Sequence, residues 1–295
     1  MQKNFKLAWQ NPSERNNGSE SAVHSLDQSM IIERILQNAA AIQNKVIVVK
    51  LPCYIINNEK LFTNFLKNIE LLKTAHAKFI IIHDYTSLQT EIKNYFGIEK
   101  EQYLSQISDT KSIDIAEMII SGRINKHIVS KLCEVGVPTI GISGKDDNLI
   151  LAKKLKKKST EVNSITNGGF VTEPLLVNSE ILAILEDSEL VTVIAPIAKN
   201  ENGQTVILDV DSTASMICSA IVADYFIVMS ELESVTKDYV KLYDNNEFNN
   251  WIAENQVSTD IPIVKAAGNV INNVSATICL VNANCPDGLL LSMLT

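Results

Sequence analysis

The stretch "NKVIVVKLPCYIINN", residues 44–58, decides how the rest of the chain is read. Val46-Ile-Val-Val49 is a β-branched run too short for a helix, and it ends in Lys50. Such a run reads as a buried strand that carries a cation to its C-terminal edge. In an open α/β sheet that edge is where ligands bind. A phosphate there calls for glycines next, so that backbone N–H groups can approach it. Pro52 and Cys53 follow instead, and proline has no N–H to offer. The frame of a phosphate site is present without its lining.

The pattern repeats outward from this strand. Strands are expected at Val46–Leu51, Lys78–His83, Val137–Ile142, Val191–Ile197, Asp224–Ser230 and Ala276–Val281. Helices are expected between them at Glu59–Ala75, Leu88–Phe96, Asp114–Val135, Ser179–Asp187, Ser212–Ala223 and Val264–Asn273. Regular alternation of this kind predicts an α/β fold, a mainly parallel sheet with helices on both faces. Residues 1–28 are polar and predict a weakly ordered or disordered arm. Residues 29–44 follow as an amphipathic helix, with Ile31, Ile32, Ile35, Leu36 and Ala39 on one stripe. The domain proper is 45–295, with an N-lobe to about 190 and a C-lobe from about 191. "KKLKKK", beginning at Lys153, is expected to be a solvated charged face.

Composition narrows the class. The chain has 295 residues, is 46% hydrophobic and 20% charged, and only 6% aromatic, so a soluble protein with an aliphatic core is expected. A net charge of −8 argues against nucleic acid or an anionic membrane as the main partner. No apolar run approaches a membrane span, and the N-terminus lacks the apolar core of a secretory signal. The five cysteines are odd in number and contain no CxxC pair. They read as buried or inert thiols of a reducing cytoplasm, with no metal site among them.

Four stretches carry a resemblance. "DIAEMIISGRINKHIV" (114–129), "TIGISGKDDNLILAKK" (139–154), "VTVIAPIAKNENGQT" (191–205) and "NKVIVVKL" occur in the order found in acetylglutamate kinases. The chain resembles that family from about residue 30 to its end, C-terminally shortened. The resemblance implies a three-layer amino-acid-kinase fold, ATP with Mg²⁺, and phosphoryl transfer to the side-chain carboxylate of N-acetyl-L-glutamate in arginine biosynthesis. It also implies a homo-oligomer, a dimer or trimer of dimers, built through the N-terminal helix.

By the same resemblance Lys50 and Asp211 are retained catalytic residues. Pro52 and Cys53 stand at the first glycine pair, Asp84 and Tyr85 in the second glycine loop, Gln106 at the substrate arginine and Ile207 at an asparagine. Ile263 is taken to occupy the second lysine position. Lys265, two residues on, would point about 200° away on a helix. Phosphoryl transfer is mostly positioning and charge stabilisation, and one lost donor costs about 10²–10³ in rate. These losses predict an acetylglutamate-kinase-like protein that is catalytically dead or severely impaired. The alternatives are an active acetylglutamate kinase or related carboxylate kinase with a rearranged site, and a non-catalytic oligomer subunit or ligand sensor.

The residues themselves leave several roles open. Lys50 is a phosphate-binding cation or a strand-end lysine paired with a carboxylate. Asp211 orients Lys50 or stabilises the start of the following helix. His83 reads as a satisfied strand-end histidine, Asn125 and Lys126 as structural, and Gly144 as a turn glycine.

Overall fold

The computed structural model describes residues 37–97, 110–153, 171–231 and 238–294. Its centre is a seven-stranded sheet in the order β11-β12-β10-β1-β2-β7-β3. The strands are β1 (Val46–Leu51), β2 (Lys78–His83), β3 (Thr139–Ser143), β7 (Val191–Ala195), β10 (Tyr225–Ser230), β11 (Tyr239–Leu242) and β12 (Thr277–Asn282). Every pairing in it is parallel except β11 with β12. β1 is interior, flanked by β2 and β10, and all six of its residues are buried. That is what a β-branched run without polar alternation requires.

Helices cover both faces, giving the three layers expected. They are α1 (Cys53–Asn57), α2 (Glu59–Thr74), α3 (Leu88–Phe96), α4 (Thr110–Glu117), α5 (Asn125–Glu134), α6 (Glu180–Asp187), α7 (Val210–Ala220), α8 (Asn245–Asn255), α9 (Pro262–Asn273) and α10 (Gly288–Leu294). The helix expected over 114–135 is continuous only through a π-helical turn, Met118–Ile124, between α4 and α5. α8, α10 and β11 were not anticipated.

A second sheet is the larger surprise. It has five short strands, β4 (Ile150–Ala152), β5 (Val171–Thr172), β6 (Pro174–Val177), β8 (Ile197–Asn200) and β9 (Thr205–Leu208), in the order β5-β9-β8-β4-β6. The run expected as one strand, Val191–Ile197, divides at Pro196: β7 stays in the main sheet and β8 joins the second. Proline cannot donate to a ladder, so the chain changes sheets there. Gly144, in the connection from β3, lies where a Cβ would come within 2.7 Å of the Ile197 carbonyl. Its need for glycine is close approach between the sheets rather than turn geometry.

At the N-terminal side, residues 37–41 are helical, and Ile42 is buried in the core. Asn38 Nδ2 donates to the Leu294 carbonyl of α10 at 2.9 Å. The first half of the helix expected over 29–44 (residues 29–36), like the arm at 1–28, lies outside the described residues.

Asn125 and Lys126 hold α5 to the sheet. Asn125 Nδ2 donates to the Val193 carbonyl at 3.0 Å and Lys126 Nζ to the Gly141 carbonyl at 2.6 Å. A Cβ on Gly141 would collide with Asn125 Oδ1 and crowd Lys126 and Val129. Gly141→Ala is therefore expected to lower stability by about 1–3 kcal/mol, the range for overpacking a filled site. Urea denaturation monitored by circular dichroism gives the check; a midpoint unchanged from the parent chain would contradict this packing.

Candidate active site

Lys50 lies at the C-terminal end of β1, opposite Val228 of β10 and Ile82 of β2. It is 7% exposed. A lysine so buried needs a partner, and its Nζ is 3.3 Å from Asp211 Oδ1. Asp211 is in the first turn of α7, whose N-cap is the neighbouring Asp209. Asp209 Oδ1 accepts from the Ser212 backbone N–H at 2.8 Å and from the Ser212 hydroxyl at 2.7 Å. The cap itself is Asp209, while Asp211 is the acid of the first turn, as one reading had it, and also pairs with Lys50.

Asp84 completes the group from the C-terminal end of β2. Burial alone would pull the Lys50 ammonium down, but the carboxylates of Asp211, Asp84 and Asp209 together hold it above its ordinary range. Burial pushes the Asp211 carboxyl up, helped by Asp209 and Asp84, and Lys50 offsets only part of this. Tyr85 is 6% exposed, and burial, then the same three aspartates, raise its phenol. One lysine therefore faces three carboxylates, an environment that disfavours further negative charge.

The two loops at this edge are closed by their own side chains. Asp84 Oδ1 accepts from the backbone N–H of Tyr85 at 2.6 Å and of Thr86 at 3.2 Å. Cys53 Sγ lies 2.9 Å from Ser87 Oγ, joining the loop after β1 to the loop after β2. Burial raises the Cys53 thiol, so it stays protonated. Pro52 is the N-cap of α1 and gives no side-chain cap.

Beside this cluster opens a cavity of about 540 Å³ between α7 and α9. Asp209, Asp211, Ser212, Ser215 and Met216 line it from α7; Pro262, Lys265 and Asn269 line it from α9; Lys153 and Glu173 close another side. Lys153 is paired with Glu173 at 3.1 Å. Lys265 is exposed to this cavity, whereas Ile263 is 5% exposed and packs in the core. Lys265, rather than Ile263, shares the cavity with Asp211. Pro262 at the first helical position sets the phase of α9, which turns Ile263 inward and Lys265 outward.

The remaining expected positions separate. Ile207 is 3% exposed in β9, opposite Ile197, and contributes packing. Gln106 lies outside the described residues. Cys53, Cys218 and Cys279 are buried, but Cys133 is exposed and Cys285 partly so; all five thiols are free. Among the described residues no set of His, Cys, Asp or Glu side chains is placed to hold a metal ion. No helix among them is long and apolar enough to cross a membrane.

The profile of the amino acid kinase family matches residues 45–270. This chain belongs to the amino acid kinase family. Its relatives include an acetylglutamate kinase of Campylobacter hominis, 32% identical over 258 residues, covering 86% of this chain and 88% of that one. A second, from Parvibaculum lavamentivorans, is 30% identical over 215 residues, 71% of each chain. The protein is acetylglutamate-kinase-like. Among solved structures, N-acetylglutamate synthase from Neisseria gonorrhoeae, complexed with coenzyme A and N-acetyl-glutamate, superposes with a TM-score of 0.65 at 14% identity. The match covers 90% of this chain and 61% of that one. Carbamate kinase from Giardia lamblia, bound to AMP-PNP, gives 0.55 at 11% identity over 84% of this chain and 96% of that one. These structures share the fold.

His83 behaves differently from a fully satisfied strand-end histidine. Nδ1 lies 3.1 Å from the Asp84 carbonyl, while Nε2 is buried without a partner among the described residues. Burial lowers its pKa to about 4. In the unfolded chain it protonates near 6.5, so acid favours unfolding. Stability is full above about pH 6.5 and falls as pH drops toward 4, by about 3 kcal/mol from this residue. Denaturation midpoints at pH 7 and 4.5 should show this loss, and His83→Gln should reduce it; equal pH dependence in both proteins would contradict the assignment.

Proposed function

We propose that this chain is an acetylglutamate-kinase-like protein that retains a nucleotide cavity but transfers phosphate to N-acetyl-L-glutamate poorly or not at all. The observation that carries this reading is Asp84, whose carboxylate takes the backbone donors of Tyr85 and Thr86. In phosphoryl transfer such donors stabilise charge on the transferring group. Here an internal anion already uses them, and its charge repels another. Pro52 and Cys53 add a missing N–H and a Cβ at the facing loop.

The cavity between α7 and α9 supports nucleotide binding. Its volume is within the range of small-molecule sites, about 300–1,000 Å³. Pro262, Pro174 and Met216 offer apolar surface, and Lys265 offers a cation for an anionic group. The residues fit a nucleoside with its first phosphates and do not fit a terminal phosphoryl group beside Asp84. Any Mg²⁺ would be held largely by the nucleotide's own oxygens. A cytoplasmic location accords with this use.

A second reading, a working carboxylate kinase, is favoured by one feature. The Lys50–Asp211 pair and Lys265 lie around one site, so two lysines and an orienting aspartate are present. Measuring ADP release with MgATP and N-acetyl-L-glutamate separates the two. On the first reading the rate stays within tenfold of background, and glycines at Pro52, Cys53, Asp84 and Tyr85 raise it. Turnover well above background that is lost on Lys50→Ala and on Lys265→Ala would establish the second.

We also propose a homo-oligomer assembled through the N-terminal helix. Ile42 is buried in the core of its own domain, and the apolar stripe read from the sequence at Ile31, Ile32, Ile35 and Leu36 is the surface proposed to meet a partner. Removing residues 1–36, which spares Ile42, should lower the number of protomers per particle measured by light scattering; an unchanged number would eliminate this interface.

A further inference from the structure

We infer that the cavity selects a nucleoside diphosphate over a nucleoside triphosphate, because the chain's own carboxylates occupy the donors that a terminal phosphate would need. The inference rests on the reading of the α7–α9 cavity as a nucleotide site.

Two independent groups of donors face the Lys50 cluster, and both are capped internally. The first is the loop after β2. Its Tyr85 and Thr86 N–H groups point to Asp84 Oδ1 at 2.6 and 3.2 Å. The second is the N-terminus of α7, an eleven-residue helix whose first turn borders the cavity. Asp209 Oδ1 takes the Ser212 N–H at 2.8 Å and its hydroxyl at 2.7 Å. Free helix and loop donors of this kind attract phosphate. Once capped by carboxylate they present negative charge in place of hydrogen.

Depth then determines which phosphates are tolerated. Lys265 is exposed and lines the cavity, whereas Lys50 does not line it and is ion-paired to Asp211, which does. Lys265 forms no ion pair among the described residues, so its charge is available to an incoming anion. Lys50 is already balanced by Asp211, with Asp84 and Asp209 also within its field. A ligand with one or two phosphates can use Lys265 and stop short of the carboxylates. One more phosphoryl group adds a charge that must approach three aspartates in a poorly screened place.

Isothermal titration of the full chain with MgADP and with MgATP tests this. MgADP is expected to bind at least tenfold more tightly. Asp84→Gly removes both the cap and the charge, and should bring the two affinities within threefold or reverse their order. Asp84→Asn keeps an acceptor for the two N–H groups but removes the charge, so it should recover part of the triphosphate affinity even if the glycine variant folds poorly. Tighter or equal binding of MgATP by the unaltered chain would overturn the inference while leaving the nucleotide cavity intact. So would a preference unchanged in Asp84→Asn. Binding of neither nucleotide at millimolar concentration would overturn the cavity reading, and the selectivity with it.

Discussion

The buried ammonium of Lys50 is the constraint around which the rest of the site is arranged. β1 lies in the interior of the main sheet, and its last two residues, Lys50 and Leu51, are buried. A charge there is tolerated only with a partner. Asp211 supplies it from α7, so the ion pair fixes the first turn of that helix against the end of β1. α7 packs in turn on α9, and the cavity between them exists because α7 is held at this point. Removing either partner would strand a buried charge, which is more damaging than the pair itself is stabilising.

Much of the fold was legible because its main-sheet strands are nearly pure aliphatic runs. β1, β2, β10 and β12 are buried along their length, and their composition states this directly. The second sheet was illegible for an equally physical reason. Its strands have two to four residues, too few for a period to show above noise. Pro196 was the one available signal, a break inside an apolar run. The π-helical turn left no trace either, since its sequence continues the apolar pattern of α4 and α5.

The site was partly legible. Lys50, Asp84 and Tyr85 come together as their positions at strand ends suggested. The burial of Ile263 is set by the helix it opens rather than by the motif before it. Pro262 marks the first helical position, and Ile263, Val264, Ala267, Val270 and Ile271 form the buried stripe of α9. On that stripe Lys265 falls on the other side, about 200° from Ile263. Asp209 was overlooked because an N-cap aspartate is so ordinary a feature. Its position beside Lys50 gives it significance, and position is what sequence alone withholds.

Loops built to receive phosphate carry a cost when empty, since their donors must be left exposed or hydrated. In this chain that cost is relieved from within. Asp84 satisfies Tyr85 and Thr86, Asp209 satisfies the start of α7, and the Cys53–Ser87 contact ties one loop to the other. Each of these contacts makes the unliganded loops more self-sufficient. Stability of the free protein and affinity for a terminal phosphate therefore compete for the same N–H groups. On the proposed reading the two loops act together: internal carboxylates take the N–H groups that an external anion would otherwise use, and the donors keep their partners.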